Sequence, residues 1–285
     1  MSTETEPGTR TGHLVRPEGG GIGSILRYNL IADRRYVKVS LLSQLVAPIL
    51  YLLALGLGLG GVVNHNGGNA SLGTPYLTYI APALIAATAL QVGVGDATYP
   101  ILHGGFKYQR IYFAMNAAPL TASQIARAIL TWIAYKAAGA ALIYYLIVAC
   151  FGGLRSIGSI LILPVATLGA LAIATPIAAY SATIEDEGGS FNVIFRFIVM
   201  PMFLFSGTFY PITSLPGWVR VLAWISPLWH ATELSRWVAL GPLHLRSGVG
   251  SLSLQMAGLH LLFLVVPAVV GAVLAVRKFQ NRLGR

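Results

Sequence analysis

The sequence predicts an all-α integral membrane protein with six transmembrane helices, an N-terminal amphipathic interface helix, and an outer re-entrant helical hairpin between spans five and six. Apolar residues make up 55% of the 285-residue chain and charged residues only 10%. The mean hydropathy of +0.70 lies outside the range of soluble domains. The apolar runs are long and continuous, whereas a transmembrane barrel shows short segments of alternating hydrophobicity.

Six stretches are long enough to cross a bilayer as helices of roughly 20 residues. They are predicted at about 39–59, 76–97, 128–151, 160–182, from about 191 onward, and 252–276. The fifth is interrupted by Pro201 and by Ser206 with Gly207, because proline and glycine break helices. Little chain remains for a soluble domain. We therefore expect a disordered cytoplasmic tail at 1–22 and a single transmembrane domain at 23–285.

Basic residues indicate the orientation, because Lys and Arg near span ends are retained on the cytoplasmic side. With the N-terminus inside, most of the 19 Lys and Arg residues fall in cytoplasmic segments. Both termini are therefore predicted to be cytoplasmic. Topology and anionic lipid then explain the net charge of +10 without nucleic acid. The richness in alanine and glycine suggests the inner membrane of a bacterial cell.

Two inner segments could contact a cytoplasmic partner. Helical spacing at 23–38 gathers Ile22, Leu26 and Leu30 on one side and basic residues on another, which predicts an amphipathic helix on the inner membrane surface. The loop at 98–127 interleaves aromatic and polar or cationic side chains. These are Phe106, Lys107, Tyr108, Gln109, Arg110 and Tyr112. Either they snorkel at the lipid interface, or they form a short docking helix for a soluble subunit.

Signals of catalysis or cofactor binding are weak. A phosphate-binding loop ends in Gly-Lys-Ser/Thr, and no lysine here follows a glycine. The chain is therefore predicted not to be an ATPase and to bind no cofactor itself. The glycine-rich run at 56–61 ends a membrane span, so close helix packing explains it better than dinucleotide binding. Cys150 is single, and His230 with Glu233 falls short of a zinc ligand set.

Three charged residues lie within or at the boundaries of predicted spans: Asp96, Lys136 and Arg196. Such a charge costs about 2.5 to 3.5 kcal/mol at mid-span, so each is expected to have a partner or a purpose. Asp96 and Lys136 approach from the same side, which favours a structural ion pair over a role in transport. Arg196 is expected to extend back toward the acidic residues at 185–187. So few acidic residues argue against a proton-driven carrier.

A proline- and tryptophan-rich block at 206–236 is the most specific feature of the chain. Prolines interrupt helices, and broken segments at membrane depth are tolerated only when they are buried in protein or line a cavity. Tryptophans suit the outer interface, where an indole is half in lipid and half in water. The candidate gate residues are Ser206, Gly207, Phe209, Tyr210, Pro211, Pro216, Trp218, Pro227, Trp229, His230 and Glu233.

The motif Phe-Ser-Gly-Thr-Phe-Tyr-Pro at 205–211, with Leu-Pro-Gly-Trp at 215–218 and Ser-Pro-Leu-Trp-His at 226–230, resembles the signature of ABC-2 type permeases. Within that superfamily the chain is similar to the branch of nodulation lipooligosaccharide and daunorubicin-type drug exporters. The resemblance covers most of residues 24–280. It implies a half-transporter that pairs with a second permease copy, as a homodimer, and with two ATP-binding cassette subunits that bind ATP and magnesium.

The resemblance also assigns roles to two regions. The broken fifth span and the hairpin would close the outer mouth of an export path for an amphipathic lipid, glycolipid or drug-like molecule. The coupling helix would lie at about 106–116, although this chain lacks the acidic residues common there, having none between Asp96 and Glu185. Two other functions stay open: a non-transporting membrane scaffold, which leaves the broken span unexplained, and a transferase on lipid-linked sugars, for which carboxylates are few.

Overall fold

The structure is a computed structural model that describes residues 20–35, 46, 49–65, 72, 74–154, 157–186, 188–240 and 253–284. Its described residues form helices and connecting turns and include no strand, so the predicted all-α class is confirmed. Most of the predicted tail and the first part of the first predicted span lie outside the described residues.

The helices follow one another along the chain with short connections. The α-helices are α1 (Gly20–Arg34), α2 (Gly60–His65), α3 (Tyr76–Ala97), α4 (Ile111–Ala117), α5 (Ala122–Cys150), α6 (Ile162–Ser181), α7 (Ser190–Val193), α8 (Met200–Phe205), α9 (Gly217–Ile225), α10 (Pro227–Leu240) and α11 (Leu254–Leu283). The wider π-helical segments are Leu52–Leu59, Pro100–Lys107 and Ile194–Val199, and the short 3₁₀ turns are Ile157–Leu161 and Ile212–Ser214.

Four helices in the described part of the chain are long and apolar enough to cross a membrane. They are Tyr76–Lys107, Ala122–Cys150, Gly158–Ser181 and Leu254–Leu283, and they match the predicted spans two, three, four and six. The other two predicted spans correspond to shorter apolar helices, Ile49–Val63 and Ser190–Phe205. The chain is thus a multi-pass membrane protein, and the count of six crossings stays a prediction.

Small residues bring α3, α6 and α11 close together at the centre of the bundle. A Cβ on Gly93 of α3 would lie 3.3 Å from the Cβ of Ala170 in α6, and one on Gly271 of α11 would lie 2.5 Å from the backbone nitrogen of Pro176. The Thr175 hydroxyl donates to the Ala268 carbonyl of α11 at 2.9 Å. Close backbone approach of this kind, with polar side chains bonding across helices, is the usual way that membrane helices associate.

The fifth apolar helix is widened before it ends. The α-helix Ser190–Val193 passes into the π-helical segment Ile194–Val199, and Pro201 then occupies the first turn of α8. Proline is tolerated in a first turn because its missing N–H has no helical partner there. The helix ends at Phe205, one residue before Gly207, which has φ +71°. The predicted interruption at Ser206 and Gly207 is therefore present.

The N-terminal helix α1 packs against α5 rather than lying free. Ile25 is 2% exposed, and a Cβ on Gly21 would lie 2.7 Å from the Leu120 side chain at the entrance to α5. Leu30 is 43% exposed, so the predicted apolar side is partly wrong: the buried stripe runs through Gly21 and Ile25. The bundle, not lipid alone, selects which face of this helix is covered.

Candidate functional site

The proline- and tryptophan-rich block folds into two short helices joined at Ser226. Pro216 precedes the first turn of α9, and Pro227 begins α10, positions where proline starts a helix without losing a hydrogen bond. Pro211 likewise precedes the 3₁₀ turn Ile212–Ser214. All three prolines thus mark helix starts, which explains why the block consists of short segments.

Hydroxyl groups hold the turns of this hairpin together. The Oγ atoms of Ser206 and Ser226 lie 2.5 Å apart, and both residues are buried. The Tyr76 hydroxyl at the start of α3 donates to the Phe209 carbonyl at 3.1 Å, and the Tyr210 hydroxyl donates to the Leu204 carbonyl at 2.9 Å. The irregular backbone after α8 is therefore bonded to the hairpin, to α3 and to its own helix.

The guanidinium of Arg236 occupies the centre of this assembly. Arg236 lies on α10 and is 0% exposed. Its Nη1 donates to Glu233 Oε1 at 3.0 Å, and its Nε donates to the Tyr79 carbonyl at 3.2 Å. Its Nη2 donates to the carbonyls of Gly207 at 2.6 Å and Thr208 at 3.2 Å. The guanidinium also stacks 3.8 Å from the centroid of the Tyr79 ring.

One side chain therefore joins three parts of the chain: α10, α3 and the break after α8. A buried guanidinium is stable only when its charge is paired and its donors are bonded, and here Glu233 pairs it while carbonyls accept its other donors. We call this set the Arg236 lock; it comprises Tyr79, Gly207, Thr208, Glu233 and Arg236. The predicted residues Gly207 and Glu233 belong to it.

Arg236 itself was not among the predicted site residues. Its basic character assigned it to the outer surface, and Tyr79 carries no motif at all. One signal was available: Glu233 and Arg236 are three residues apart, a spacing that places oppositely charged side chains together on one helix face. Their partners on α3 and near Gly207 are distant in sequence and leave no local pattern.

A second cluster joins α10 to α11 through two histidines. The Nδ1 atoms of His230 and His260 lie 2.7 Å apart, and Nε2 of His230 lies 2.9 Å from the Trp224 carbonyl. Because a carbonyl only accepts, His230 donates from Nε2, and its Nδ1 then accepts from His260. Burial lowers the pKa of His230, which favours this neutral form. His230 and Glu233 were considered together from their spacing, but they bond to different partners.

The tryptophans of the hairpin have different surroundings. Trp218 is 74% exposed and Trp224 51% exposed, as an interface position requires. Trp229 instead contacts both histidine rings, at centroid distances of 4.8 Å and 4.9 Å. The N–H of the Trp229 indole is buried without an acceptor among the described residues. Trp229 is thus a packing residue of the hairpin, while Trp218 and Trp224 point outward.

The predicted coupling loop divides into a buried and an exposed part. Phe106 is 3% and Tyr112 5% exposed, and both rings pack on Phe279 near the end of α11, with centroids 5.1 Å and 5.4 Å away. These two aromatics anchor the loop to the bundle, so the expectation that they offer a docking surface is wrong. The alternation of aromatic and cationic residues does not distinguish a core-facing ring from a surface ring.

The exposed part of the loop is Tyr108, Gln109 and Arg110. Tyr108 is 68% exposed, and Arg110 has φ +51°, which turns the chain sharply into α4. Lys107 forms an ion pair with Asp186 in the turn after α6. That contact lowers the pKa of the Asp186 carboxyl. The exposed loop residues therefore stand on a braced support.

The intramembrane charges are paired differently from the prediction. Lys136 donates to Asp33 of α1 at 3.1 Å, so the predicted ion pair with Asp96 is wrong. A partner on the amphipathic helix could not be foreseen without knowing that α1 packs on α5. Arg196 is exposed and forms no ion pair among the described residues. Asp186, one of its expected partners, is bound to Lys107 instead.

The chemistry of these clusters is structural. No group of three or more His, Cys, Asp or Glu side chains in the described part of the chain is placed to hold a metal ion. The Arg236 lock fixes the position of the hairpin, and the histidine pair fixes its lower end to α11. Both clusters can control whether the hairpin stays closed against α3 and α11.

Comparisons with known proteins agree with this arrangement. The family model described as ABC-2 type transporter matches residues 21–240. "Nodulation protein J" of Sinorhizobium fredii (strain NBRC 101917 / NGR234) is 30% identical over 267 residues, covering 91% of this chain and 93% of that protein. "Nodulation protein J" of Rhizobium leguminosarum bv. viciae is 26% identical over 264 residues, covering 92% and 97%. The resemblance read from the motifs is confirmed.

Proposed function

Because this chain belongs to the ABC-2 type transporter family, we propose that it is an exporter half-transporter whose outer exit is closed by the hairpin α9–α10. Members of this family are membrane permease subunits and are not themselves catalytic. The cargo we propose is an amphipathic lipid, glycolipid or drug-like molecule, taken from the cytoplasm or the inner leaflet. The observation that carries the proposal is the Arg236 lock, since it joins a broken helix and a hairpin into one movable unit.

The hairpin is proposed to enter the membrane and return without crossing it. With 9 residues in α9 and 14 in α10, each helix is about 14 to 21 Å long, shorter than the roughly 30 Å hydrocarbon core. Ala231 near the start of α10 faces Gly169 well inside α6, where a glycine Cβ would lie 2.5 Å from the Ala231 Cβ. Arg236, further along α10, reaches Tyr79 in the first turn of α3. The chain therefore turns deep, near Ser226, and runs back toward one membrane face.

This reading yields a topology of six crossings within a single domain at 23–285. Both termini are proposed to be cytoplasmic, in the inner membrane of a bacterium, on the distribution of basic residues. The two shorter apolar helices, Ile49–Val63 and Ser190–Phe205, are proposed as the first and fifth crossings. The π-helical segments in them lengthen the rise needed per bond and leave room for bending.

Cysteine labelling tests this topology. In a Cys150→Ser background, we expect Thr213→Cys and Gly241→Cys to react with a membrane-impermeant thiol reagent in intact cells. Thr213 lies before α9, and Gly241 follows α10 just outside the described residues. A hairpin that crossed the membrane would leave one of the two sites unlabelled. As a control, a cysteine at exposed Tyr108 should react only after the cells are opened.

A second permease copy is proposed to cover the face formed by α7 to α9, giving a homodimer. This face exposes Phe197, Leu222 and Ile225, at 73%, 55% and 65%. It also opens into a mostly apolar cavity of about 480 Å³ that reaches Ser206 and Ser226. Irregular backbone at membrane depth is tolerated when protein or a water-filled path covers it, and a second copy would supply both.

Two ATP-binding cassette subunits are proposed as the energy source, because the family works with such partners and no lysine here follows a glycine. They would bind ATP and magnesium and dock on Tyr108, Gln109 and Arg110. The full-length chain alone in nanodiscs should hydrolyse no ATP, whereas its complex with the ATP-binding subunit should hydrolyse ATP and export substrate from proteoliposomes. Hydrolysis by the chain alone, or a complex that never exports any amphiphile, would contradict this function.

A further inference from the structure

A cavity of about 510 Å³ lies at the end of the bundle opposite the hairpin. It is enclosed by α1, the end of α3 with its π-helical continuation, α4 and α5. It takes no part in the Arg236 lock or the histidine pair. Its walls mix a carboxylate, amides and aromatic rings: the residues used below are Tyr28, Asn29, Asp96, Tyr99 and Trp132.

The carboxylate of Asp96 is the one charged group we assign to this cavity. Its Oδ2 atom is buried and accepts no hydrogen bond, and the amide nitrogen of Asn29 is buried and donates none. A buried polar group without a partner costs about 1 to 3 kcal/mol, and more when it is charged. A bound group that supplies hydrogen-bond donors to Asp96 would remove that cost.

The charges around Asp96 favour a cation. Lys136 and Asp33 form their own ion pair at 3.1 Å, and they act on the Asp96 charge with opposite signs. When all three groups are ionised, the cluster keeps a net charge of −1. An anionic group would be repelled by this cluster, and a neutral sugar would leave the carboxylate uncompensated.

Aromatic rings define the kind of cation. Trp132 lines the cavity while stacking on Tyr135, and Tyr28 and Tyr99 line other walls. Aromatic faces attract alkylammonium groups and also accept apolar chains. We propose that this cavity binds the protonated amine of an amphipathic molecule, with the ammonium at Asp96 and the apolar body along the aromatic walls and α1.

The inference rests on the proposed function only for the side of the membrane that the cavity faces. It is tested by binding to the full-length permease without its ATP-binding partner, so it can fail while export stands, and the reverse. The probes are dodecylamine and N-acetyldodecylamine, which share the alkyl chain but differ in charge. We expect wild-type protein in phosphatidylglycerol nanodiscs to bind dodecylamine at least about tenfold more tightly, a difference of about 1.4 kcal/mol.

Substitutions at Asp96 locate the preference. Asp96→Asn keeps the shape and should remove the preference for the amine, while Asp96→Glu should retain most of it. Asp186→Asn is the matched control, because it removes an exposed carboxylate outside the cavity and should leave the preference unchanged. Equal binding of both probes by the wild type, or an unchanged preference in Asp96→Asn, would overturn the proposal.

The source of the amine can be read from the same assay. If a lipid headgroup occupies the site, adding phosphatidylethanolamine to the nanodiscs should compete with dodecylamine in wild-type protein but not affect the residual binding to Asp96→Asn. If the occupant is another amphiphilic amine, dodecylamine binding should persist in phosphatidylethanolamine. Either result supports an amine site, whereas stronger binding of dodecyl phosphate than of dodecylamine would contradict it.

Discussion

Replacing Arg236 with alanine should abolish export and lower the free energy of unfolding by about 3 to 5 kcal/mol, the usual cost of breaking a buried ion pair. Glu233, whose side chain is 13% exposed, would be left without its cation. The carbonyls of Tyr79, Gly207 and Thr208 would lose a donor. The hairpin would then no longer be tied to α3 and to the break after α8.

Two comparison variants separate charge from position. Arg236→Lys keeps the charge, but its ammonium has three donors where the guanidinium makes four hydrogen bonds, so we expect partial recovery of stability and little recovery of export. Arg220→Ala removes an arginine of the same hairpin whose guanidinium bonds the backbone of Leu215 and Thr213 near the surface. Its effect on melting temperature in detergent should be small.

Export from proteoliposomes and thermal melting of the purified complex give the two readouts. Wild-type export by Arg236→Ala at an unchanged melting temperature would mean that the lock does not control the exit. A double variant, Arg236→Met with Glu233→Gln, removes both charges together. It should recover part of the lost stability, as replacing a buried ion pair often does, yet still fail to export, because the carbonyl contacts with α3 and Gly207 are absent.

Local signals were sufficient for the parts of the fold that depend on nearby residues. Helix α3 begins at Tyr76 and ends at Ala97, as the apolar run predicted, because a continuous run in lipid has no alternative to a helix. The break at Ser206 and Gly207 also follows from local chemistry. Pro216 and Pro227 start helices because proline fits a first helical turn.

Long-range packing decided the rest. Arg236 bonds to a carbonyl 157 positions away, and His230 meets His260 across 30 positions; neither pairing leaves a pattern in one sequence. Lys136 found Asp33 rather than Asp96 because α1 packs against α5. These misses share a cause: the burial of a polar group depends on which helix covers it, and that is a property of the assembled bundle.

Two tyrosines of the coupling loop should behave in opposite ways when each is replaced with alanine. Tyr112→Ala should destabilise the permease by about 3 to 5 kcal/mol, the cost of deleting a large buried aromatic ring, because its ring packs on Phe106 and Phe279. Tyr108→Ala should leave the melting temperature unchanged, since its side chain is 68% exposed. It should instead weaken co-purification of the ATP-binding subunit.

The comparison is well matched because the substitutions are identical and only four positions apart. Melting temperature measures the first effect, and the amount of ATP-binding subunit retained on the tagged permease measures the second. Retention by Tyr108→Ala as strong as in the wild type, with Arg110→Ala also without effect, would place the docking surface elsewhere on the inner face. A stable Tyr112→Ala variant would mean that the ring cluster does not anchor the loop, and force from ATP hydrolysis would then need another route to α11.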